Sequence, residues 1–505
     1  MIFFLKKSGN SKKKSKFIKK KVDRFKKGTY PILNWKRYQQ RFQLSTFNCA
    51  LKKIYHLFVH QEDKMKKIVA GTLAVLALTA SVFAAPKKGQ VRYLNFKPEV
   101  ASVYQELAAA YEKETGVKVI VETAANNAYE STLMSKMATK QAPTLFQING
   151  PVGYGNWKSY CADLSGTELY KHLSDKSLAV TVGGKVYGIP YVVEGYGIIY
   201  NSKITDAYFA LPTKATKYES MDEVKNFAAL KEVADDMQKN ADALGIKGVF
   251  ASTSLKAGED WRWQTHLANV PVYYEFQAKK ADLSDPKASM KIDFTYADQY
   301  KNIFDLYLTD STIPAKNAGV KTVDNSMAEF ALEECAMVQN GNWAWGQISG
   351  VTGNKVKAEN VKYLPIYTGV AGEEKQGLCV GTENFYCINK KASKADQQAT
   401  ADFIYWLYSS KTGKDYVTNK LGFIAPFDTF ADNERPTDPL AVEISNWMSK
   451  PGITSVSWNF TVFPSQTFKD NFGASLLRYA QGTKDWASVK ADVIKDWANE
   501  KELAE

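Results

Sequence analysis

The sequence predicts an α/β protein of two lobes joined by short crossings, each lobe a mostly parallel sheet flanked by helices. Three observations predict it. Short β-prone runs alternate with amphipathic helices from residue 91 onward, and the alternation resumes after Tyr200. No internal repeat, low-complexity linker or compositional break divides this stretch into independent beads. At 505 residues, 45% of them hydrophobic and 24% charged, the chain has core enough for two or three packed domains, which excludes a disordered or collagen-like chain.

The elements follow in order. Val91–Phe96 reads as a strand. Glu99–Thr115 sets Val100, Val103, Leu107 and Tyr111 on one helical face, closed by Gly116. Val117–Val121 is a strand, Thr132–Lys140 a helix stopped before Pro143, and Thr144–Ile148 the next strand. That βαβαβ order calls for parallel strands. Further on, Ser220-Met221-Asp222-Glu223 has the form of a capping box opening a helix with Val224, Phe227, Val233, Met237 and Leu244, ended by Gly245. Lys247–Ser252 reads as a strand, Ser393 as the cap of a helix through Trp406, and Asp485–Trp497 as a helix with Trp486, Val489, Val493 and Trp497 on one stripe.

The net charge of +13 suggests a nucleic-acid partner until it is located. Residues 1–64 carry 18 Lys/Arg against 3 Asp/Glu, while residues from Ala85 on carry 46 against 50. The folded body is mildly acidic and lacks the basic footprint of a phosphate-backbone binder. Met65-Lys66-Lys67, the uncharged run Ile68–Ala80 and the small residues before Pro86 form a secretory signal peptide over 65–84, cleaved after Ala84. The expectation is that translation starts at Met65 and that 1–64 is upstream sequence outside the fold. A signal anchor with its basic segment in the cytoplasm is the alternative. Either way the body is exported, to the periplasm or the cell surface. Cys161, Cys335, Cys379 and Cys387 remain in it, equally compatible with disulfides and with buried thiols.

The catalytic inventory is thin. His172 and His266 stand far apart, and no HExxH, P-loop, GxSxG or GxGxxG occurs, so neither a cofactor nor a metal is expected. Tyr273-Tyr274 permits a ferric-ion reading, although adjacent tyrosines more often pack. Aromatic density stands out instead: ten tryptophans follow residue 85, with the doublets Trp261-Arg262-Trp263 and Trp343-Ala344-Trp345 set beside Glu259, Asp260 and Asn342. Sugars offer apolar C–H faces and a rim of hydroxyls, which flat aromatics and nearby amides or carboxylates match. The bland alternative assigns one tryptophan of each doublet to the core.

The run Ile189-Pro190-Tyr191-Val192-Val193-Glu194-Gly195-Tyr196-Gly197-Ile198-Ile199-Tyr200-Asn201 resembles the maltose-binding-protein-like extracellular solute-binding proteins of ABC sugar importers, and so does the order of the later segments Met337–Trp345, Leu364-Pro365 and Gly381–Asn389. The resemblance implies a periplasmic-binding-protein fold that closes as a hinged trap on a carbohydrate. It places lobe 1 at 85–194, lobe 2 at 195–380, a return to lobe 1 at 381–430 and a C-terminal helical region, 431–505, packing mainly on lobe 2. It implies a non-enzymatic, monomeric receptor that hands its sugar to the transmembrane subunits of an ABC permease. By position it assigns Glu194 to a sugar hydroxyl and Trp343 to a sugar ring, with Trp345 beside it. Glu259, Trp261 and Trp263 would line the second lobe's face of the cleft, and Asn95, Phe96, Gln147 and Asn149 the first lobe's. Glu383 and Trp458 complete the set. Asn342 replaces the family's usual proline and Asn149 its usual aspartate. The competing readings are a secreted carbohydrate-active enzyme and a receptor for ferric ion or peptide.

Overall fold

The computed structural model describes residues 89–124, 128–283, 286–382, 384–431 and 433–503, all within the compact unit Lys87–Glu505. The segment 1–64, the leader 65–84 and Glu383 lie outside the described residues. The strands are β1 (Val91–Asn95), β2 (Val119–Thr123), β3 (Leu145–Ile148), β4 (Val180–Val182), β5 (Lys185–Gly188), β6 (Glu194–Asn201), β7 (Gly248–Phe250), β8 (Cys335–Gly341), β9 (Val361–Leu364), β10 (Gln376–Gly381), β11 (Phe385–Ile388) and β12 (Thr454–Ser457).

Two main sheets organise the protein, ordered β11-β3-β1-β2 and β12-β10-β6-β8-β7, with β9 also on β6. In the first, β1 runs parallel to β2 and β3, as the βαβαβ pattern predicts, and only β11 is antiparallel. The second is mixed: β6 pairs antiparallel with β8, β9 and β10, while β7–β8 and β10–β12 are parallel. The reason lies in the crossings. β6 carries the chain out of the first lobe and β10 brings it back beside β6, with Gly381 opposite Glu194, so the two must run in opposite senses.

The first lobe buries Tyr104, Leu107 and Tyr111 of helix Ala101–Thr115 against Phe403, Leu407 and Tyr408 of helix Lys394–Ser409. The second buries Val233, Met237, Tyr300 and Phe304 together with Trp486, Val489, Val493 and Trp497 of the C-terminal helix, so that tryptophan stripe is core. Gly116 ends its helix with φ 69° and Ser393 caps its own, both as expected. The capping box at Ser220 does not form. Met221–Glu223 makes one 3₁₀ turn, Val224 turns extended, and the helix starts at Phe227, capped by Asn226, whose Oδ1 accepts from the Ala229 N–H. The four cysteines among the described residues are buried free thiols, with the Sγ atoms of Cys161 and Cys387 3.7 Å apart. Among the described residues, no helix is long and apolar enough to cross a membrane.

Candidate functional site

A cavity of about 230 Å³ opens between the two lobes. The first lobe contributes the turn after β1 and the segment after β3, where open α/β sheets present ligand sites. Phe96, Lys97 and Asn149 line it. Asn95 and Gln147 do not: they are buried beneath the turn and hold it. Asn95 Oδ1 accepts from the Lys97 N–H at 3.0 Å, and its Nδ2 donates to the Lys97 carbonyl at 2.6 Å. Gln147 Oε1 accepts from the Phe96 N–H at 2.9 Å and the Tyr93 hydroxyl at 3.0 Å. These amides satisfy the main chain where the strand ladder stops, an obligation for any buried turn.

Glu194 does not reach the cavity wall either. It is 1% exposed at the start of β6, and its Oε1 accepts from Lys97 Nζ at 2.8 Å. Lys97 also lies 5.4 Å from the centre of the Trp343 ring and 3.4 Å from Glu99. A single ammonium from the first lobe thus meets a crossing strand and an aromatic wall of the second. Burial holds the Glu194 carboxyl above its ordinary range, and Lys97 pulls it back down.

Each tryptophan doublet splits between cavity and core. Trp343 and Trp261 line the cavity, their ring centres 6.1 Å apart. Trp263 is 3% exposed, its Nε1 donating to the Ser254 carbonyl, and Trp345 packs on the core around Phe330 and Ile348. One tryptophan of each doublet therefore goes to the core, because both doublets are helical and there i and i+2 point to roughly opposite sides. Arg262–Leu267 forms a π-helical turn running into helix Ala268–Lys279, whose Pro271 withholds the N–H that the Leu267 carbonyl would otherwise accept. Gly341 is dictated by Trp343: a Cβ there would lie 2.2 Å from the indole.

Two further expected contacts, Glu259 and Trp458, serve the scaffold, as does Arg262 between the first pair of tryptophans. Glu259 Oε2 accepts from the Val323 N–H at 3.0 Å, at the first turn of helix Val323–Ala331. Trp458 is 8% exposed behind the wall, packed on Tyr196, His266 and Phe460. Arg262, 1% exposed, donates to the Gln339 carbonyl and to Ser254 and Ser326 hydroxyls, tying the π turn to β8.

The cavity also draws on residues that sequence reasoning passed over. His266 stacks on Tyr196 with ring centres 4.5 Å apart, and burial, with Lys97 and Lys469 nearby, pushes its pKa down to about 3, so the ring is neutral at physiological pH. Gln264, Tyr129, Glu130 and Asn384 line the wall, as do Ser465 and Lys469 at the start of helix Gln466–Ala480. Trp157 Nε1 donates to Glu130 at 2.9 Å. Only His266 carried a signal, as a rare residue type beside a doublet. Tyr273 and Tyr274 lie away from the cavity, packed on the second core, and Tyr274 donates to Gln376 at 2.6 Å.

Asp260 opens the π turn from a buried position, 4% exposed, and packs so close to Gly473 that any Cβ there would lie 1.7 Å from its Oδ2. Burial, together with the nearby charges of Asp470 and Glu259, pushes its carboxyl up to about 7. Because the folded pKa is raised, the unfolded chain loses its proton first as pH rises. Asp260 therefore costs stability progressively between about pH 4 and 7, on the order of 4 kcal/mol. Asp260→Asn should remove that slope: urea unfolding is expected to show variant and wild type nearest in stability at pH 4 and the variant ahead at pH 8. An equal gap at both would show that Asp260 ionises normally.

The family described as bacterial extracellular solute-binding proteins matches residues 106–443. The melibiose/raffinose/stachyose-binding protein MelE of Bacillus subtilis is 31% identical over 134 residues, a stretch covering 26% of this chain and 30% of that relative. The fold recurs in a sugar transporter from Bacillus licheniformis solved with stachyose, at 17% identity and a TM-score of 0.59 over 81% of this chain and 99% of that one. A chitin oligosaccharide binding protein (16%, TM-score 0.62, 83% and 100%) and maltose-bound T. maritima MalE3 (15%, 0.59, 82% and 100%) share it. Matched over more than half its length, and folded as two α/β lobes around a cavity, the chain belongs to the bacterial extracellular solute-binding proteins.

Proposed function

We propose that this protein is an exported receptor that captures an oligosaccharide between its lobes and delivers it, chemically unchanged, to an ABC-type permease. The observation that carries the reading is the composition of the cavity wall: Trp343, Trp261, Phe96 and Tyr129 beside Asn149, Gln264 and Asn384, drawn from both lobes. Aromatic faces match the C–H faces of a pyranose, and amides match its hydroxyl rim. The sugar ligands named for the similar proteins support the same class. In this reading Trp343 and Trp261 stack on sugar rings, and Lys97 donates to a hydroxyl. Glu194 acts through Lys97, holding the ammonium in place rather than touching the sugar. A ligand that bridges both lobes binds the closed form more tightly and shifts the population toward it. The receptor works as a monomer, without nucleic acid or cofactor.

The test is a thermal-shift panel of raffinose, stachyose, maltose, xylotriose and chitobiose, with ferric ion and a peptide mixture alongside. A ligand that binds only the folded state adds about 2.7 kcal/mol at 100 times its dissociation constant. A shift with one sugar family is expected. A shift with iron or peptide alone overturns the ligand class, and cleavage of the bound sugar on incubation overturns the receptor in favour of an enzyme.

A further inference from the structure

We propose that Asn149 and Asn384 together form a hydroxyl-reading subsite at the first lobe's rim of the cleft, which takes one hydroxyl, or a vicinal pair, of a neutral sugar. The proposal rests on the carbohydrate reading above and deepens it by naming the residues that select among sugars.

The two asparagines are brought together by pairing across more than 200 residues of chain. β11 runs antiparallel to β3 with Phe385 opposite Ile148, and Asn384 and Asn149 are the next residues of the two segments beyond that pair. Both line the cavity. The strand end that carries them is rigid, because Gln147 Nε2 donates to the Asn384 carbonyl at 3.1 Å while Gln147 Oε1 holds the Phe96 N–H.

Both side chains are left unsatisfied where satisfaction is the rule. Asn384 is 4% exposed, and its Nδ2 has no hydrogen-bond partner among the described residues. Asn149 Oδ1 is likewise buried without a partner, so the neighbours do not satisfy each other. Asn149 occupies the N-cap of helix Gly150–Trp157, where an asparagine ordinarily accepts from a main-chain N–H of the first turn, yet it makes no such bond. Pro151, the second residue of that helix, has no N–H to offer. Asn384 in addition holds φ 57°, a left-handed conformation that asparagine tolerates better than most residues but glycine adopts freely. Strain and unpaired polar groups concentrated at one strand end facing a cavity are a pattern of ligand sites.

The chemistry selects the ligand group. An unpaired donor beside an unpaired acceptor matches a hydroxyl, which is donor and acceptor at once. An ammonium brings no lone pair for Asn384 Nδ2. A carboxylate brings no proton for Asn149 Oδ1 and would enter a wall whose acids, Glu99, Glu130 and Asp324, outnumber its lysines, Lys97 and Lys469.

Asn384→Gly tests this cleanly, because it deletes the amide while relieving the backbone. The variant is expected to keep or gain thermal stability and yet bind the panel's sugar roughly 10-fold more weakly, as does Asn149→Ala. The double variant should lose less than the product of the two, since both amides read the same group. Monodeoxy analogues of that sugar provide the second readout: for the analogue lacking the read hydroxyl, wild type and Asn384→Gly should bind alike. Unchanged affinity in Asn384→Gly, or equal weakening toward every analogue, overturns the subsite while leaving the carbohydrate reading intact. A panel in which no sugar binds wild type overturns both.

Discussion

Replacing Lys97 by methionine is expected to destabilise the protein by about 3–5 kcal/mol, the effect of removing one partner of a buried ion pair. Lys97 and Glu194 are 6% and 1% exposed in their side chains and 2.8 Å apart. Without the ammonium, Glu194 is a carboxylate in the interior with one oxygen, Oε2, already lacking a partner. Its escape is to take up a proton, since burial already raises its pKa and Lys97 is the chief influence lowering it. The sign follows. Below the ordinary glutamate pKa of about 4 both states are protonated and the penalty is small; as pH rises above that, the unfolded chain ionises and the folded one resists, so the deficit grows. The deficit of Lys97→Met should accordingly be larger at pH 8 than at pH 5 in urea unfolding, and Lys97→Met/Glu194→Gln should recover much of it. A deficit independent of pH, or no recovery in the pair, would show that Lys97 stabilises by packing alone.

Trp343→Ala is expected to weaken binding of the panel's sugar by more than roughly 30-fold, or about 2 kcal/mol, the loss typical of a buried aromatic anchor. The ring is well placed for that role: Gly341 leaves room beneath it, Tyr196, His266 and Trp458 surround it, and Lys97 lies over it. Trp345→Ala is the internal control. It should lower thermal stability through lost packing around Phe330 and Ile348 but leave affinity within about 2-fold, because it lies outside the cavity wall. Isothermal titration of both variants decides the matter, and equal affinity loss in the two would remove the distinction between wall and core.

Much of the scaffold was legible residue by residue. Gly116 and Ser393 terminate and cap the helices that their types predict, and the opening βαβαβ pattern delivers a parallel β3-β1-β2 core. Elsewhere local rules were not sufficient. Ser220 has the right neighbours for a capping box, but Val224 is drawn out to extended geometry and Asn226 caps instead. The second sheet is mixed because a chain that leaves a lobe and returns beside itself must reverse direction.

The site divides along the same line. Its materials were visible: tryptophan doublets, asparagines after strands, a carboxylate in a crossing segment. Their assignment was not. Phe96, Asn149, Trp261 and Trp343 reach the cavity, whereas Asn95, Gln147, Glu194, Glu259, Trp263, Trp345 and Trp458 support it from behind. Lys97, Asn384 and Lys469 gave no sign in sequence, since their importance comes from meeting residues far along the chain. By itself, then, the sequence determined the alternation of elements and the chemical palette, because both follow from side-chain type and local period. Which member of each doublet meets solvent, which carboxylate is covered by an ammonium and which amides are left unpaired were decided only by tertiary structure. A local period sets the direction in which a side chain leaves its own backbone, but what lies in that direction depends on which distant element has packed there.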